Sequence, residues 1–130
     1  ERALNVFFST SIDRLSNVQH TLKSLNIASK QLNHETNKSV NVVFVEYSAS
    51  PSLKLKNLAK AFSYTYIYIP DKIGILYGCD MFPKSLLYNA MFLLTPEAPL
   101  SVFHDADIPV PKNFFTLLMK QTQLQKNMGY

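Results

Sequence analysis

Two carboxylates close together late in the chain have the spacing expected of a divalent-cation site. Asp105 and Asp107 follow the mostly apolar residues 100–103 and are separated by Ala106 alone. In extended backbone this spacing brings the two carboxylates together while the side chain between them points elsewhere. Mg²⁺ or Mn²⁺ relieves the repulsion between them and keeps ligand positions for water and substrate phosphates. The pattern therefore predicts a metal site that neutralises a leaving diphosphate by Lewis-acid catalysis, and the alternative is a solvated turn.

Three further residues have side chains suited to binding a nucleotide. Glu46 and Tyr47 end an apolar stretch, where a carboxylate can accept the N–H of a base and an aromatic ring can stack on one. The alternative is a glutamate that faces water and a tyrosine that covers the core. Lys84 stands in the first turn of a predicted helix, where its charge opposes the helix dipole and favours an anionic partner. For Lys84 the alternative is a lysine exposed to solvent.

The composition argues against several other classes of protein. With three glycines the chain has no glycine-rich phosphate loop, and no Ser/His/Asp or zinc-ligand spacing is visible. His104 is interpreted as a partly buried, hydrogen-bonded residue, and the single cysteine, Cys79, as an inert thiol in a reducing, cytoplasmic compartment. The net charge of +4 is spread along the chain, which argues against nucleic-acid binding. No apolar run is long enough to span a membrane.

Apolar patterning predicts alternating strands and helices in a single domain, residues 1–130, which lacks an initial methionine and is expected to be a fragment of a longer protein. Buried strands are predicted at residues 4–8, 40–47, 64–69 and 100–103. Apolar residues spaced by three and four predict the inner faces of the helices. These residues are Leu15, Val18, Leu22, Leu25, Ala28 and Leu32; Leu55, Leu58, Ala59 and Phe62; Leu86, Leu87, Ala90, Met91 and Leu94; and Phe115, Leu118 and Met119.

The helix boundaries and loops follow from local signals. Asp13 and the serine-rich residues 48–52 are predicted to cap helices, and Pro83 suits a first helical turn. Residues 33–37 and 73–81 are predicted to be loops. The order βαβαβαβα predicts a doubly wound, mostly parallel sheet with helices on both faces, a Rossmann-like α/β fold. Such sheets bind ligands beyond the carboxyl ends of their strands, which nominates residues 9–11, 46–48, 70–72 and 104–107.

Three segments, taken in order, resemble the A-type (GT-A fold) glycosyltransferases. The first is the opening strand with a helix of the form Arg14…Thr21-Leu22-Lys23-Ser24-Leu25, and the second is the strand end Val45-Glu46-Tyr47-Ser48. The third and most specific is Phe82-Pro83-Lys84-Ser85-Leu86-Leu87-Tyr88-Asn89-Ala90, followed by Val102-Phe103-His104-Asp105-Ala106-Asp107 and Pro109. The chain is similar to the nucleotide-sugar-binding half of family 2 transferases and of the β-1,4-galactosyltransferase and chondroitin-polymerase-like group.

The resemblance implies a UDP-sugar donor, a Mn²⁺ or Mg²⁺ ion, and transfer of a hexosyl or hexosaminyl group to the hydroxyl of a saccharide or glycoconjugate acceptor. It implies that Asp105 and Asp107 hold the metal. The donor-binding residues that it implies are Ser9, Thr10, Ser11, Glu46, Tyr47, Phe82, Lys84, Asp105, Ala106 and Asp107. Complete A-type enzymes continue beyond the Asp-x-Asp with an acceptor site and a catalytic base. The alternative is therefore a non-catalytic doubly wound binding module, which an exposed apolar face could cause to self-associate.

Overall fold

The centre of the molecule is a four-stranded parallel sheet whose strands lie in the order β3-β2-β1-β4. The computed structural model describes residues 2–76 and 84–127. The strands are β1 (Arg2–Thr10), β2 (Ser39–Ser48), β3 (Thr65–Pro70) and β4 (Leu100–Phe103). All four lie where the apolar stretches predict them. β1 and β2 occupy the middle of the sheet, which is why their sequences are almost continuously apolar.

Five helices are described, and they cover the sheet on both faces. They are α1 (Leu15–Thr36), α2 (Leu53–Phe62), α3 (Lys72–Leu76), α4 (Lys84–Leu94) and α5 (Phe114–Asn127), and a single 3-10 turn at Ile12–Arg14 precedes α1. Alternation along β1 sends Val6 and Phe8 into a core shared with α1, α2 and α5. Phe7 points to the opposite face and packs against Leu87 and Met91 of α4. The predicted doubly wound, Rossmann-like α/β fold is therefore confirmed.

The predicted inner face of α1 is confirmed, but its predicted ends are wrong. Every inward residue after Leu15 is fully buried, at Val18, Leu22, Leu25, Ala28 and Leu32. The helix begins after Arg14 with no side-chain cap, since Asp13 lies in the preceding 3-10 turn. It continues through the predicted loop to Thr36, whose hydroxyl donates to the carbonyl of Leu32. Asn37, with a φ of 60°, then ends the helix in the left-handed conformation.

The other helices differ from prediction in two places. Ser52 caps α2 as predicted, its hydroxyl accepting from the N–H of Leu55 at 3.3 Å. Residues 73–76 of the predicted loop 73–81 belong instead to the short helix α3, whose first turn is closed by the N–H of Gly74 donating to the carbonyl of Asp71, and residues 77–81 lie outside the described residues. Leu94 was predicted to face inward but is 68% exposed. In the last turn of α4, Phe92 still contacts the ring of Phe7 in β1, whereas Leu93 and Leu94 are exposed.

Strand pairing brings the functional ends of the strands to one edge. The chain runs from β1 outward to β2 and β3, then returns to place β4 on the other side of β1. β1 therefore pairs in parallel with both β2 and β4. Between β1 and β4 the strand order reverses, which in open α/β sheets creates a crevice at the carboxyl ends. Within residues 2–76 and 84–127, no helix has the length and apolar character needed to cross a membrane.

Candidate functional site

A cleft of ≈ 620 Å³ opens beyond the carboxyl ends of β1 and β4, where the strand order reverses. Seven residues predicted from the sequence to bind a donor line it: Ser9, Thr10, Ser11, Lys84, Asp105, Ala106 and Asp107. Its remaining lining residues, which no sequence feature assigned to a site, are Asp13, Arg14, Tyr88 and Ile108. The volume lies within the range of about 300–1,000 Å³ typical of small-molecule sites.

Asp105 shares an exposed ion pair with the first residue of α4. The Nζ of Lys84 lies 3.0 Å from Oδ1 of Asp105, and each side chain is 56% exposed. The pKa of Lys84 is raised, mainly by the hydrogen bond to Asp105. The carboxylate also offsets the unfavourable position of a cation at a helix N-terminus. Because exposed pairs contribute at most about 1 kcal/mol, this contact can open at small cost.

Asp107 is held by two residues at the start of α1. A guanidinium nitrogen of Arg14 contacts Oδ2 of Asp107, and Nδ2 of Asn17 donates to Oδ1 at 3.3 Å. The side chains of Arg14 and Asp107 are 55% and 41% exposed. Both carboxylates of the Asp-x-Asp therefore carry a cation supplied by the chain itself.

The backbone between the two aspartates is a tight turn, whereas the sequence predicted an extended segment. β4 pairing ends where the N–H of His104 donates to the carbonyl of Phe7, and the N–H of Ile108 then donates to the carbonyl of Asp105. The fully buried hydroxyl of Thr21 donates to the carbonyl of Ala106 at 2.5 Å. The hydroxyl of Ser24 accepts from the N–H of Val110 at 3.0 Å. These contacts hold the segment against α1.

Four polar residues in and just before α1 thus hold the whole aspartate turn. Asn17, Thr21 and Ser24 recur at spacings of three and four, so they lie on one side of α1, and Arg14 stands three positions before Asn17 in the adjoining 3-10 turn. Arg14, Thr21 and Ser24 belong to the first of the three segments that resemble the A-type glycosyltransferases, but the sequence analysis predicts no role for any of the four residues. Their spacing is a signal that could have found them.

Tyr88 joins α4 to the end of β4 at the wall of the cleft. Its hydroxyl donates to the carbonyl of His104 at 3.0 Å, and Nζ of Lys84 lies 5.8 Å from its ring centroid. The pKa of Tyr88 is raised, mainly by burial of its side chain. The interpretation of His104 as a partly buried, hydrogen-bonded residue is confirmed, since its Nε2 lies 2.6 Å from the carbonyl oxygen of Ile108. That ring nitrogen therefore acts as a donor.

Glu46 lies at the same edge of the sheet but does not line the cleft. Its side chain is fully buried and accepts three hydrogen bonds, so the alternative of a glutamate facing water is wrong. The donors are the hydroxyl of Ser48 at 2.9 Å, the N–H of Ser52 at 2.8 Å and the hydroxyl of Tyr66 at 2.6 Å. Burial, followed by the hydrogen bond to Glu46, raises the pKa of Tyr66. All three donors belong to the protein, and contact between Glu46 and a base stays a prediction.

Tyr47 and Phe82 complete the set of predicted donor-binding residues. Tyr47 packs against the core on the α4 side, and its hydroxyl donates to the carbonyl of Asp71 at 2.9 Å. The alternative in which this tyrosine covers the core is confirmed. Phe82 lies outside the described residues, as do Cys79 and Pro83.

The oxygen atoms that the cleft offers as metal ligands fit one kind of metal site. Mg²⁺ and similar hard cations take oxygen ligands and are commonly held by one or two carboxylates together with substrate phosphates and water. Asp105 and Asp107 supply two such carboxylates on an exposed turn. Among residues 2–76 and 84–127, no group of three or more His, Cys, Asp or Glu side chains could hold a metal ion. A metal here would depend on oxygen ligands from a substrate or solvent.

No family model matches this chain, and comparisons with curated proteins and with solved structures also found no match. The fold and the geometry of the cleft are therefore the basis on which a function is inferred.

Proposed function

We propose that this chain is the donor-binding domain of a metal-dependent glycosyltransferase and binds a UDP-sugar in the cleft between β1 and β4. One observation carries the proposal. Three carboxylates and two cations line a cleft of ≈ 620 Å³ at the strand-order reversal of a parallel α/β sheet, and two of the carboxylates, Asp105 and Asp107, pair with the cations. Ligands of doubly wound proteins bind at this position. A diphosphate with its divalent cation needs both kinds of charge.

Each proposed role follows from the chemistry of the side chain. The oxygens of Asp105 and Asp107 would hold Mn²⁺ or Mg²⁺, which when bound supplies Lewis-acid neutralisation of a leaving diphosphate. Lys84 adds a point charge beside the same carboxylates, where it can approach phosphate oxygens. Thr21 and Ser24 hold the turn in place through its backbone. The domain would serve transfer of the sugar to the hydroxyl of a saccharide or glycoconjugate acceptor.

The end of β1 would meet the nucleotide. Ser9, Thr10 and Ser11 line the same cleft as the aspartate turn. The hydroxyl of Thr10 donates to the carbonyl of Ser11 at 3.2 Å, which shapes this strand end. Hydroxyl and backbone groups at such strand ends can donate to or accept from a ribose or a base. These residues support the nucleotide part of the proposal.

Calorimetric titration tests the proposal directly. UDP is titrated into the protein with Mn²⁺ and, separately, with excess chelator, and binding is expected only with the metal. Asp105→Asn and Asp107→Asn should each abolish the heat of binding. Glu97→Gln removes an exposed carboxylate from outside the cleft and should leave it unchanged. Normal affinity in both aspartate variants would refute the proposed site.

The second candidate is a non-catalytic binding module. It is favoured by the ion pairs that already occupy both carboxylates. Exposed Phe92 and Phe103, which both contact the ring of Phe7, offer an apolar surface for self-association. This candidate predicts that chelator leaves thermal unfolding unchanged and that no nucleotide sugar binds. Metal-dependent binding of UDP would overturn it.

A further inference from the structure

The ion pairs in the cleft engage one oxygen of each of the two carboxylates that a metal would use. Lys84 lies on Oδ1 of Asp105, and Arg14 lies on Oδ2 of Asp107. A divalent cation that arrives alone must compete with an ammonium and a guanidinium group, and it also meets their positive charge. A diphosphate that arrives alone meets three carboxylates, those of Asp13, Asp105 and Asp107, and finds both cations already engaged. Each ligand by itself therefore faces an unfavourable cleft.

A divalent cation and a diphosphate that bind together avoid the unfavourable charge contacts that each would meet alone. With the carboxylates engaged by a divalent cation, Lys84 and Arg14 are released next to the diphosphate. A guanidinium group binds phosphate oxygens through two parallel hydrogen bonds, and an ammonium group binds them as a point charge. The charges of Asp105, Asp107, Arg14 and Lys84 then each lie beside a charge of opposite sign. The exchange replaces two exposed ion pairs, which are weak, with contacts to a multiply charged ligand.

The structure allows this exchange without rearrangement of the backbone. The side chains of Arg14 and Lys84 are 55% and 56% exposed, so they can turn without leaving a packed core. The aspartate turn is fixed separately, through the hydroxyls of Thr21 and Ser24. Mobile charged side chains thus surround a fixed backbone, as a partner exchange requires.

We propose that Arg14 and Lys84 are internal counter-ions that block either ligand alone and couple binding of the divalent cation to binding of the diphosphate. This inference rests on the proposed function, because it takes the diphosphate to be part of the ligand. By linkage, the metal raises affinity for the diphosphate by the same factor as the diphosphate raises affinity for the metal. Coupling of this kind commonly amounts to about 5- to 150-fold.

The test compares Mn²⁺ binding alone with Mn²⁺-dependent binding of UDP and of inorganic pyrophosphate. Free Mn²⁺ is measured by its electron paramagnetic resonance signal, and the anions are titrated by calorimetry. In the double variant Arg14→Gln, Lys84→Gln, Mn²⁺ alone should bind about tenfold more tightly, while UDP with Mn²⁺ should bind at least about tenfold more weakly. Opposite signs for the two ligands are the signature of the exchange.

Two control variants separate this effect from a general change in charge or fold. Lys54→Gln removes an exposed cation from α2, outside the cleft, and should alter neither affinity. Arg14→Lys keeps the positive charge and should keep Mn²⁺ alone weak. If Mn²⁺ alone binds the double variant no more tightly than the original protein, the inference is overturned. Equal affinity for UDP with metal and with chelator would overturn it as well.

The two anions distinguish failure of this inference from failure of the proposed function. Metal-coupled binding of pyrophosphate without any binding of UDP would support the exchange and refute the nucleotide ligand. Metal-coupled binding of UDP that the double variant leaves unchanged would support the proposed function and refute the exchange. Absence of binding by both anions would refute both.

Discussion

Glu46 and the Asp105–Asp107 pair lie at the same edge of one sheet, yet the protein treats them in opposite ways. Glu46 is fully buried and accepts three hydrogen bonds from the chain itself. The two aspartates are exposed, and their partners are long, flexible cations. A carboxylate enclosed by fixed donors stabilises the fold, whereas one held by weak surface pairs is available to a ligand. Position at a strand end does not by itself distinguish the two.

The largest expected effect is on the buried carboxylate. Glu46→Ala should lower the free energy of unfolding by about 3 kcal/mol, because it leaves the N–H of Ser52 and the hydroxyl of Tyr66 without their acceptor. Urea unfolding followed by circular dichroism measures the change. Tyr66→Phe removes one donor only and should cost about 1 kcal/mol. A fully stable Glu46→Ala variant that no longer binds UDP with Mn²⁺ would instead make Glu46 a donor-binding residue.

The next effect concerns the residue that positions the exposed pair. Thr21→Val keeps the side-chain volume but removes the donor to the carbonyl of Ala106, so about 1–2 kcal/mol of stability should be lost. Affinity for UDP with Mn²⁺ should also fall about tenfold, since the aspartate turn is no longer fixed. Thr36→Val is the matched control, because that hydroxyl donates to the carbonyl of Leu32 and accepts from the N–H of Lys38, and none of these residues lines the cleft. Equal effects of both variants on UDP affinity would contradict a positioning role.

Substitution of the exposed aspartates should have the opposite pattern to that of Glu46: a small loss of stability and a large loss of UDP binding. Asp105→Asn and Asp107→Asn are each expected to change the free energy of unfolding by less than about 1 kcal/mol, because they break only surface ion pairs. The same urea experiment measures this, and the same samples serve for UDP calorimetry. A loss of stability comparable to that of Glu46→Ala would show that the aspartates are structural.

The smallest effect is expected at a carboxylate that is exposed but structural. Hydrogen bonds, first from Gln31 and then from Thr116 of α5, lower the pKa of Glu35 below its ordinary value of 4.5. Ionised Glu35 therefore stabilises the fold above that pH, and the contribution is lost as pH falls through the lowered pKa. The stability difference between the original protein and Glu35→Gln should shrink in acid. A difference that is independent of pH would contradict this, and Thr116→Val should reduce it at neutral pH.

Much of the fold could be predicted because it depends on local pattern. The inner face of α1, the cap at Ser52 and all four strands follow from apolar spacing and turn chemistry, which act over a few residues. The predictions that failed concern positions where tertiary contacts override the local sequence signal. Residues 33–36 look like loop, but Glu35 accepts from Thr116 of α5 and Thr36 donates within the helix. Leu94, the last residue of α4, fits the apolar stripe of that helix yet is exposed.

The candidate site, like the fold, has features that follow from the sequence and features that only tertiary contacts set. The sequence by itself determined that Asp105 and Asp107 follow a buried strand, and that strands joined by helices form a parallel sheet with its ligand edge at their carboxyl ends. Only the tertiary structure decided that β4 lies beside β1, that Glu46 turns into the protein, and that Arg14 reaches Asp107 across 93 positions of sequence. The reason is physical. Periodicity records which face of an element is buried, but the partner that faces it is chosen by packing between segments far apart in the chain.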